Sequence, residues 1–437
     1  MEYKAEVIYA DKQQAADILI LKPSRNLFIG ETKLKSIFGK LTSLETDLLT
    51  FSAAIFACDI AFKRGKNENF IRSIELNIPV VNLAKFSALH DKILFILGKL
   101  SDDAWHINFI QRQGFIENNI EDKPIKDNGC VLLLSGGLDS LSGAINIAKS
   151  YNDIQLVSHV TGNPVVRNAQ RNAFEYLDKL HPSIFKWTPI FVTGKTTPDH
   201  KYMFPSDNQR EDTQRTRSFL FLTLAGIFAH RRGNRDIIFI AENGQLAIHL
   251  PFTGARISSF STHTAHPEVI NGMSEVLSSL LSYEIKVINP FVYLTKAEVI
   301  RDLLQNHMSA AKLAVSCWKA SRVVGERNHC GECIPCLIRR IAVESNGVHF
   351  DEYARDIFSE DIASLKPDDE GKHNITDLGD FINIFEKRVS KSEILDKHID
   401  LINPFIDVDK AINMYRKFAK EARSVFNSYP ILKEYMK

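Results

Sequence analysis

Four aliphatic residues in a row, Val131 to Leu134, give way to SGGLDS (Ser135–Ser140) and then to apolar residues at Leu141, Ala144, Ile145 and Ala148. An unbroken run followed by positions at helical spacing predicts a buried strand, a glycine turn and a helix start. The alternation continues downstream. Strands are expected at 154–160, 189–193 and 236–244, and helices at about 166–180 and 213–230. INPFVYLTKAEVIRDLL (288–304) adds a strand, a turn at Pro290 and a helix with Thr295 near its N-cap and Glu298 at the capping-box position. This β-α-β order predicts an α/β fold with a doubly wound parallel sheet, in which ligands sit beyond the strand C-termini.

The flanks read differently. Residues 1 to about 120 hold short strands in AEVIYA, DILILK, RSIELNIPVV and AWHINFIQR. Thr42 and Glu45 have capping-box spacing before a strongly apolar helix that contains Cys58 as a core residue. Asp59, Arg64 and Arg72 are given a structural or surface role. This α+β region is expected to recognise a partner or to support the next domain. EDKPIKDNG (121–129) is a polar linker. The α/β domain is expected over 130–345, and a helical region over 346–437. That region has a charged loop at 366–374 and a last helix around 409–426 that buries Ile412, Tyr415, Phe418 and Val425.

The chain has 437 residues, 44% hydrophobic and 24% charged, which suits two or three globular domains. A net charge of +1 offers no global case for nucleic acid or acidic lipid. No apolar run approaches the ~20 residues that cross a bilayer, and MEYKAEVIYADKQQ carries no secretory leader pattern. Four of the six cysteines fall within 20 positions, which favours a metal site in a reducing compartment. The expected location is cytoplasmic, with no membrane partner.

Candidate chemistry gathers at the turns. Gly136 and Gly137 let the backbone approach a ligand, and the helix N-terminus from Leu138 onward presents N–H groups to an anion. Ser135 and Ser140 can donate hydroxyls to the same phosphate, and Asp139 can hold Mg²⁺. A plain tight turn is the competing reading, and no G-K-[ST] follows as it would in a Walker loop. Arg217, at the start of an apolar helix, and Lys296 can reach phosphate. Ser140 and Asp139 join them as candidate catalytic residues. Gly162 and Asn163 follow the second strand, and Glu242 and Asn243 the fourth, where polar groups are placed to read a substrate. His263 and His266 have metal-ligand spacing without an obvious third ligand, and are taken as pocket-lining or surface residues. Glu242, His263 and His266 are the candidate general bases. The loop 194–212 is either a mobile cover or a surface loop.

Cys317, Cys330, Cys333 and Cys336 form C-x₁₂-C-x₂-C-x₂-C, with Gly331 permitting a tight knuckle. Four thiolates describe a structural Zn²⁺. An iron–sulfur cluster and free thiols are the alternatives.

SGGLDS resembles the PP-loop of the ATP pyrophosphatase superfamily (adenine nucleotide alpha hydrolase-like). Together with SCW…HCGECIPCLIRR it is similar to the 7-cyano-7-deazaguanine synthase family (QueC), a PP-loop fold ending in a four-cysteine zinc knuckle. The resemblance spans about 130–345. Ser135, Gly136, Gly137, Asp139 and Ser140 match its ATP loop. Arg217 with Phe219–Ala225 resembles its Arg-Asn-x-x-Phe-Leu helix, with Ser218 in the asparagine's place. Pro290, Leu294, Thr295 and Lys296 resemble its Pro…Leu-x-Lys segment, and the four cysteines match its zinc ligands. It departs at 161–163, where aromatic-Gly-Gln reads ThrGlyAsn. It departs again where Asp-Cys-Arg-Pro is expected and ThrAlaHisPro (264–267) stands.

The resemblance implies ATP, Mg²⁺ and Zn²⁺, adenylation of 7-carboxy-7-deazaguanine with loss of pyrophosphate, and attack by an amine. The N-terminal region and helical tail resemble QueC-like proteins of bacterial anti-phage systems (the Qat and CBASS type). That likeness implies conjugation to a partner protein from the same defence operon. Synthesis of the free nitrile with ammonia, tRNA modification, and a non-enzymatic ATP-binding scaffold are the alternatives.

Overall fold

The computed structural model describes residues 2–11, 17–65, 70–114, 129–160, 162–233, 236–250, 263–320, 323, 327–386 and 389–436. Most of the expected linker and Thr161 lie outside them.

The N-terminal elements run β1 (Glu2–Val7), β2 (Ile18–Leu21), β3 (Leu27–Phe28), α1 (Glu31–Phe38), α2 (Ser43–Ala61), β4 (Ser73–Val80), α3 (Leu83–Ala88), α4 (His90–Ser101) and β5 (Ala104–Gln111). Four strands form a parallel sheet in the order β2-β1-β4-β5. Alternation along β4 buries Ile74, Leu76, Ile78 and Val80 on one face. The Thr42–Glu45 capping box forms, Glu45 N donating to Thr42 Oγ1 at 3.1 Å and Thr42 N to Glu45 Oε2 at 2.9 Å. The helix it starts, α2, is buried almost all round. A helix apolar on every side belongs inside a core, and α2 packs against both β4 and a helix of the next region.

That region runs β6 (Gly129–Leu133), α5 (Leu138–Ile147), β7 (Asp153–Val160), α6 (Pro164–Leu180), β8 (Phe185–Phe191), β9 (Thr193–Gly194), α7 (Arg217–Arg232), β10 (Asp236–Phe239), α8 (Gly244–Ile248), α9 (Pro267–Leu281), β11 (Ile285–Ile288), α10 (Lys296–Asn306), α11 (Met308–Leu313) and α12 (Ile334–Ser345). Its sheet is parallel, in the order β11-β10-β6-β7-β8. Strand order reverses at β6: β7 and β8 lie on one side, β10 and β11 on the other. A ligand crevice is expected at such a switch point, between the C-terminal ends of β6 and β10. Apolar packing runs unbroken from Phe51 and Ile55 of α2, through Phe219 and Leu220 of α7, to Val131 and Val157 of the second sheet.

A buried ionic network ties the N-terminal sheet to the start of α7. Arg72 pairs with Asp59 at 2.7 Å and Asp103 at 2.5 Å, Arg64 pairs with Asp103 at 2.6 Å, and Arg215 with Asp102 at 2.8 Å. Asp59 also accepts from Thr216 N at 2.8 Å and Thr216 Oγ1 at 2.9 Å, just before α7. Asp59, Arg64 and Arg72 are thus structural. Burial alone would raise the Asp103 carboxyl, but Arg72 and Arg64 hold it below the usual range. Asp103→Ala removes the carboxylate that Arg64 and Arg72 share, leaving Arg72 with Asp59 and Arg64 without its buried partner, and is expected to cost about 3–5 kcal/mol. Urea unfolding measures this, and a loss below ~1 kcal/mol would show that the network carries little stability.

The C-terminal helices α13 (Glu370–Glu386), α14 (Lys391–Lys397), α15 (Val408–Asn427) and α16 (Pro430–Tyr435) share a second core with Ile248, Leu250, Leu337 and Ile341. Two details differ from the sequence reading, and a third decides between its alternatives. β8 starts at Phe185, before PIFVT, because FKWT is itself a strand former that pairs with β7. The stretch 366–374 is not all loop: Asp369 accepts from Lys372 N at 2.9 Å and α13 begins at Glu370. The segment 194–212 is packed down. Thr193–Gly194 pairs with Leu27–Phe28, Tyr202 and Phe204 are buried, and Phe204 fills the space beside Gly194.

Candidate functional site

The turn after β6 is built around Gly136. Its φ is +85°, and a Cβ there would sit 2.8 Å from Gln170 N, so only glycine fits. Ser135 Oγ lies 3.0 Å from Ser140 Oγ and accepts from Gly137 N at 3.3 Å. Ser140 Oγ donates to Gly137 O at 3.1 Å. No side chain caps α5, whose N-cap is Gly137. Leu138 is buried, leaving its backbone as its polar contribution. Small polar side chains around an uncapped helix N-terminus suit an anion such as phosphate.

Asp139, on the first turn of α5, joins three strand ends. Its Oδ1 accepts from Lys296 Nζ at 2.6 Å, and its Oδ2 from Asn243 Nδ2 at 2.6 Å and Asn243 N at 3.2 Å. Asn243 follows β10 and caps α8, its Oδ1 accepting from Leu246 N at 3.3 Å. Lys296 is the first residue of α10, after a capping box in which Thr295 Oγ1 accepts from Glu298 N at 3.2 Å. Its side chain is only 6% exposed, and its N–H donates to Gln245 Oε1 at 3.0 Å. Gln245 had no distinguishing sequence signal.

Glu242 immediately precedes this clamp. Its Oε2 is buried and has no hydrogen-bond partner. Burial pushes the carboxyl up to about 7, the Asp139 charge adds to this, and Lys296 opposes it. In the unfolded chain a glutamate titrates near ~4.3. The folded state therefore binds the proton more tightly, and the contribution to stability declines as pH rises from there through about 7. Glu242→Gln removes the buried charge. It is expected to stabilise the protein at pH 8 by up to about 3 kcal/mol and far less at pH 5. Melting curves at the two pH values check this, and equal shifts at both would contradict it.

Arg217 opens α7. Its Nη2 donates to His159 O at 3.3 Å, its guanidinium lies 5.1 Å from the Phe221 ring centroid, and its Nε is buried without a partner. Burial lowers it to about 10, so it stays a cation at neutral pH. Gln170 Nε2 donates to the same carbonyl at 3.3 Å, and Gln170 N is the atom that crowds Gly136. Arg217 and the glycine turn thus share one layer of contacts.

The other sequence candidates are placed as follows. Gly162 and Asn163 follow β7. Space is open beside Gly162, and Asn163 caps α6 by accepting from Val165 N at 2.9 Å. His266 caps α9, its Nδ1 accepting from Glu268 N at 3.3 Å, and its ring lies 5.3 Å from that of His263. His263 lies 5.8 Å from His249, a third histidine brought in from the end of α8. Burial drives His249 down to about 4, His266 to about 3 and His263 to about 2, so all three are neutral at pH 7.

Among the described residues, the donors that converge for a metal are the four cysteines, their sulfurs all within 4.8 Å of one another. Cys317 Sγ to Cys333 Sγ is 3.9 Å and Cys330 Sγ to Cys336 Sγ is 3.8 Å. A tetrahedral ion with sulfur bonds of ~2.3 Å has edges of about 3.8 Å, so the set fits one Zn²⁺ and is too tight for a polynuclear cluster. Cys317 Sγ accepts from Lys319 N at 3.3 Å and Cys330 N at 3.4 Å, and Cys330 Sγ from Cys333 N at 3.4 Å. Gly331 has φ +90°, and a Cβ there would lie 2.0 Å from Arg355 O. His329 is occupied elsewhere, its Nε2 accepting from Ser316 N at 3.2 Å. Val315, two residues before Cys317, donates its N–H to Gly136 O at 3.1 Å and so links the knuckle to the glycine turn.

Comparison with known proteins fits this geometry. The family model of queuosine biosynthesis protein QueC matches residues 129–347. The chain is similar to the 7-cyano-7-deazaguanine synthase of Chelativorans sp. (strain BNC1), 25% identical over 232 residues that cover 50% of this chain and 89% of that protein. It is similar to the synthase of the same name from Brucella anthropi, 26% identical over 227 residues covering 50% and 90%. The Sinorhizobium fredii synthase is 26% identical over 230 residues covering 50% and 88%.

Proposed function

This chain belongs to the QueC family, and from that membership we propose that it adenylates the carboxylate of a 7-deazaguanine, 7-carboxy-7-deazaguanine, at the expense of ATP. The observation that carries the reading is the clamp on Asp139 by Lys296 and Asn243 beside the SGGLDS turn. A substrate carboxylate oxygen attacks the α-phosphorus, the bond to the bridging oxygen breaks, and pyrophosphate leaves with that electron pair. An amine then attacks the acyl carbon and expels AMP.

The turn supplies backbone N–H groups and the Ser135 and Ser140 hydroxyls to the phosphates. Arg217 and Lys296 offset charge as it develops, in a fixed and buried setting that needs no reorganisation. Asp139 holds Lys296 in place. The Mg²⁺ that accompanies ATP would take oxygen ligands from Asp139 and from Glu242, whose buried Oε2 is unpartnered. Bound there, the ion neutralises phosphate charge. Gly162, Asn163 and Asn243 are the proposed substrate contacts, and His263 and His266 are assigned to the pocket wall. Zn²⁺ would be held by Cys317, Cys330, Cys333 and Cys336 with no ligand position left open, a structural role.

The acceptor in this reading is an amine of a partner protein in a bacterial anti-phage system, within the cytoplasm. The sheet of residues 2–111 and the C-terminal helices lie outside the family match. They supply surface that a small-molecule synthase does not need, and the N-terminal region is assigned to partner recognition.

The test is pyrophosphate release from ATP with and without 7-carboxy-7-deazaguanine, followed by mass spectrometry. Release that requires the acid, with a mass increment on a protein, is expected. Release yielding a free nitrile would assign ammonia as the acceptor, and no acid-dependent release would overturn the substrate.

A further inference from the structure

Both partners of Asp139 stand on turns that rest against α15. At the Asn243–Gly244 turn, a Cβ on Gly244 would lie 2.9 Å from Met414 Cε and 2.5 Å from Val292 O. Further along the same segment, Leu250 N donates to the buried Tyr415 Oη at 3.2 Å. At the start of α10, Thr295 Oγ1 donates to Glu421 Oε1 at 2.8 Å while accepting from Glu298 N. Lys417 Nζ donates to Glu298 Oε1 at 2.7 Å. Asp407, the N-cap of α15, donates its N–H to Tyr293 Oη at 2.7 Å. Residues 414, 415, 418, 422 and 425 form the buried face of α15 at helical spacing, so the helix is fixed along its length.

We infer that α15, which lies beyond the family-matched span, is a strut for the nucleotide site, and that Glu421 is a positioning residue that sets Lys296 against Asp139 through Thr295. A threonine hydroxyl has one proton. While Glu421 accepts it, the oxygen's lone pairs face the α10 N–H groups and hold the cap. Lys296 is the next residue, so the cap sets where its side chain begins. Burial pushes the Glu421 carboxyl up to about 7, and glutamine is therefore a close neutral substitute that keeps an accepting oxygen.

The inference rests on the proposed role of Lys296, so Lys296→Met is the reference variant. Pyrophosphate release is compared for the full chain, Glu421→Ala, Glu421→Gln, Lys296→Met and the double variant of Glu421→Ala with Lys296→Met. Glu421→Ala is expected to lower kcat/KM for ATP about 10-fold, with Glu421→Gln within about twofold of the parent. In the Lys296→Met background, Glu421→Ala is expected to cost nothing further, since residues acting through one group are not additive. Should Glu421→Ala fail to fold, Thr295→Val against Thr295→Ser makes the same comparison. Parent-like activity of Glu421→Ala, equal losses for Ala and Gln, or a loss that adds in full to that of Lys296→Met would overturn the inference. A harmless Lys296→Met would instead overturn the functional reading on which it stands.

Discussion

Asp139→Ala is expected to reduce ATP-dependent pyrophosphate release by roughly 10³-fold, the scale of removing a fixed electrostatic group from an active site. The carboxylate fixes Lys296 at 2.6 Å and Asn243 at 2.6 Å, and in the proposed mechanism it is one of two acidic side chains that would hold the Mg²⁺ of ATP. Alanine removes all three interactions. It also leaves Lys296, 6% exposed, as a buried cation without its partner, a change that costs about 3–5 kcal/mol in comparable pairs. Activity and stability should therefore fall together in Asp139→Ala. Asp139→Asn is expected to lose both as well, because it lacks the charge and, with its oxygen toward Lys296, turns an NH2 group on the Asn243 donors. More than about a tenth of parent activity in Asp139→Ala would refute the electrostatic role assigned here.

The second large effect concerns the cysteines. Elemental analysis is expected to find one zinc per chain, and Cys336→Ser is expected to lose it. Structural zinc contributes on the order of 10 kcal/mol in small domains. In this larger chain part of that is absorbed locally, and a fall in melting temperature of roughly 10 °C is expected. The same variant should bind ATP more weakly, because Val315 ties the segment before Cys317 to Gly136 O. Iron and sulfide in place of zinc would reassign the site, and an unchanged melting temperature in a metal-free variant would remove its structural role.

What could be read ahead of the structure was local in the chain. The run Val131–Leu134 with its glycine turn, the caps at Thr42–Glu45 and Thr295–Glu298, and the cysteine spacing each depend on residues a few positions apart. Such chemistry is written in order along the sequence. The partners of Asp139 are not: Asn243 and Lys296 are 104 and 157 positions away, and the sheet order brings them together. Lys296 is legible as a lysine at a helix start that can reach phosphate, but its burial against Asp139 comes from the fold. His249 joins His263 and His266 without any spacing signal. The charged stretch at 366–374 reads as loop by composition, yet Asp369 turns it into a helix start. Asp59, Arg64 and Arg72 could be named only as scattered charges, and nothing marked Asp103, because the members of this network meet across two strand ends and a helix.

The proposed reaction begins with attack of a substrate carboxylate on the α-phosphorus of ATP. Supplying 7-carboxy-7-deazaguanine with ¹⁸O in its carboxylate tests this directly, by mass spectrometry of the nucleotide product after turnover with an amine. Adenylation predicts AMP carrying one ¹⁸O per turnover, since the oxygen that attacked phosphorus stays with it when the amine displaces AMP. Unlabelled AMP, or ADP in its place, would contradict the account.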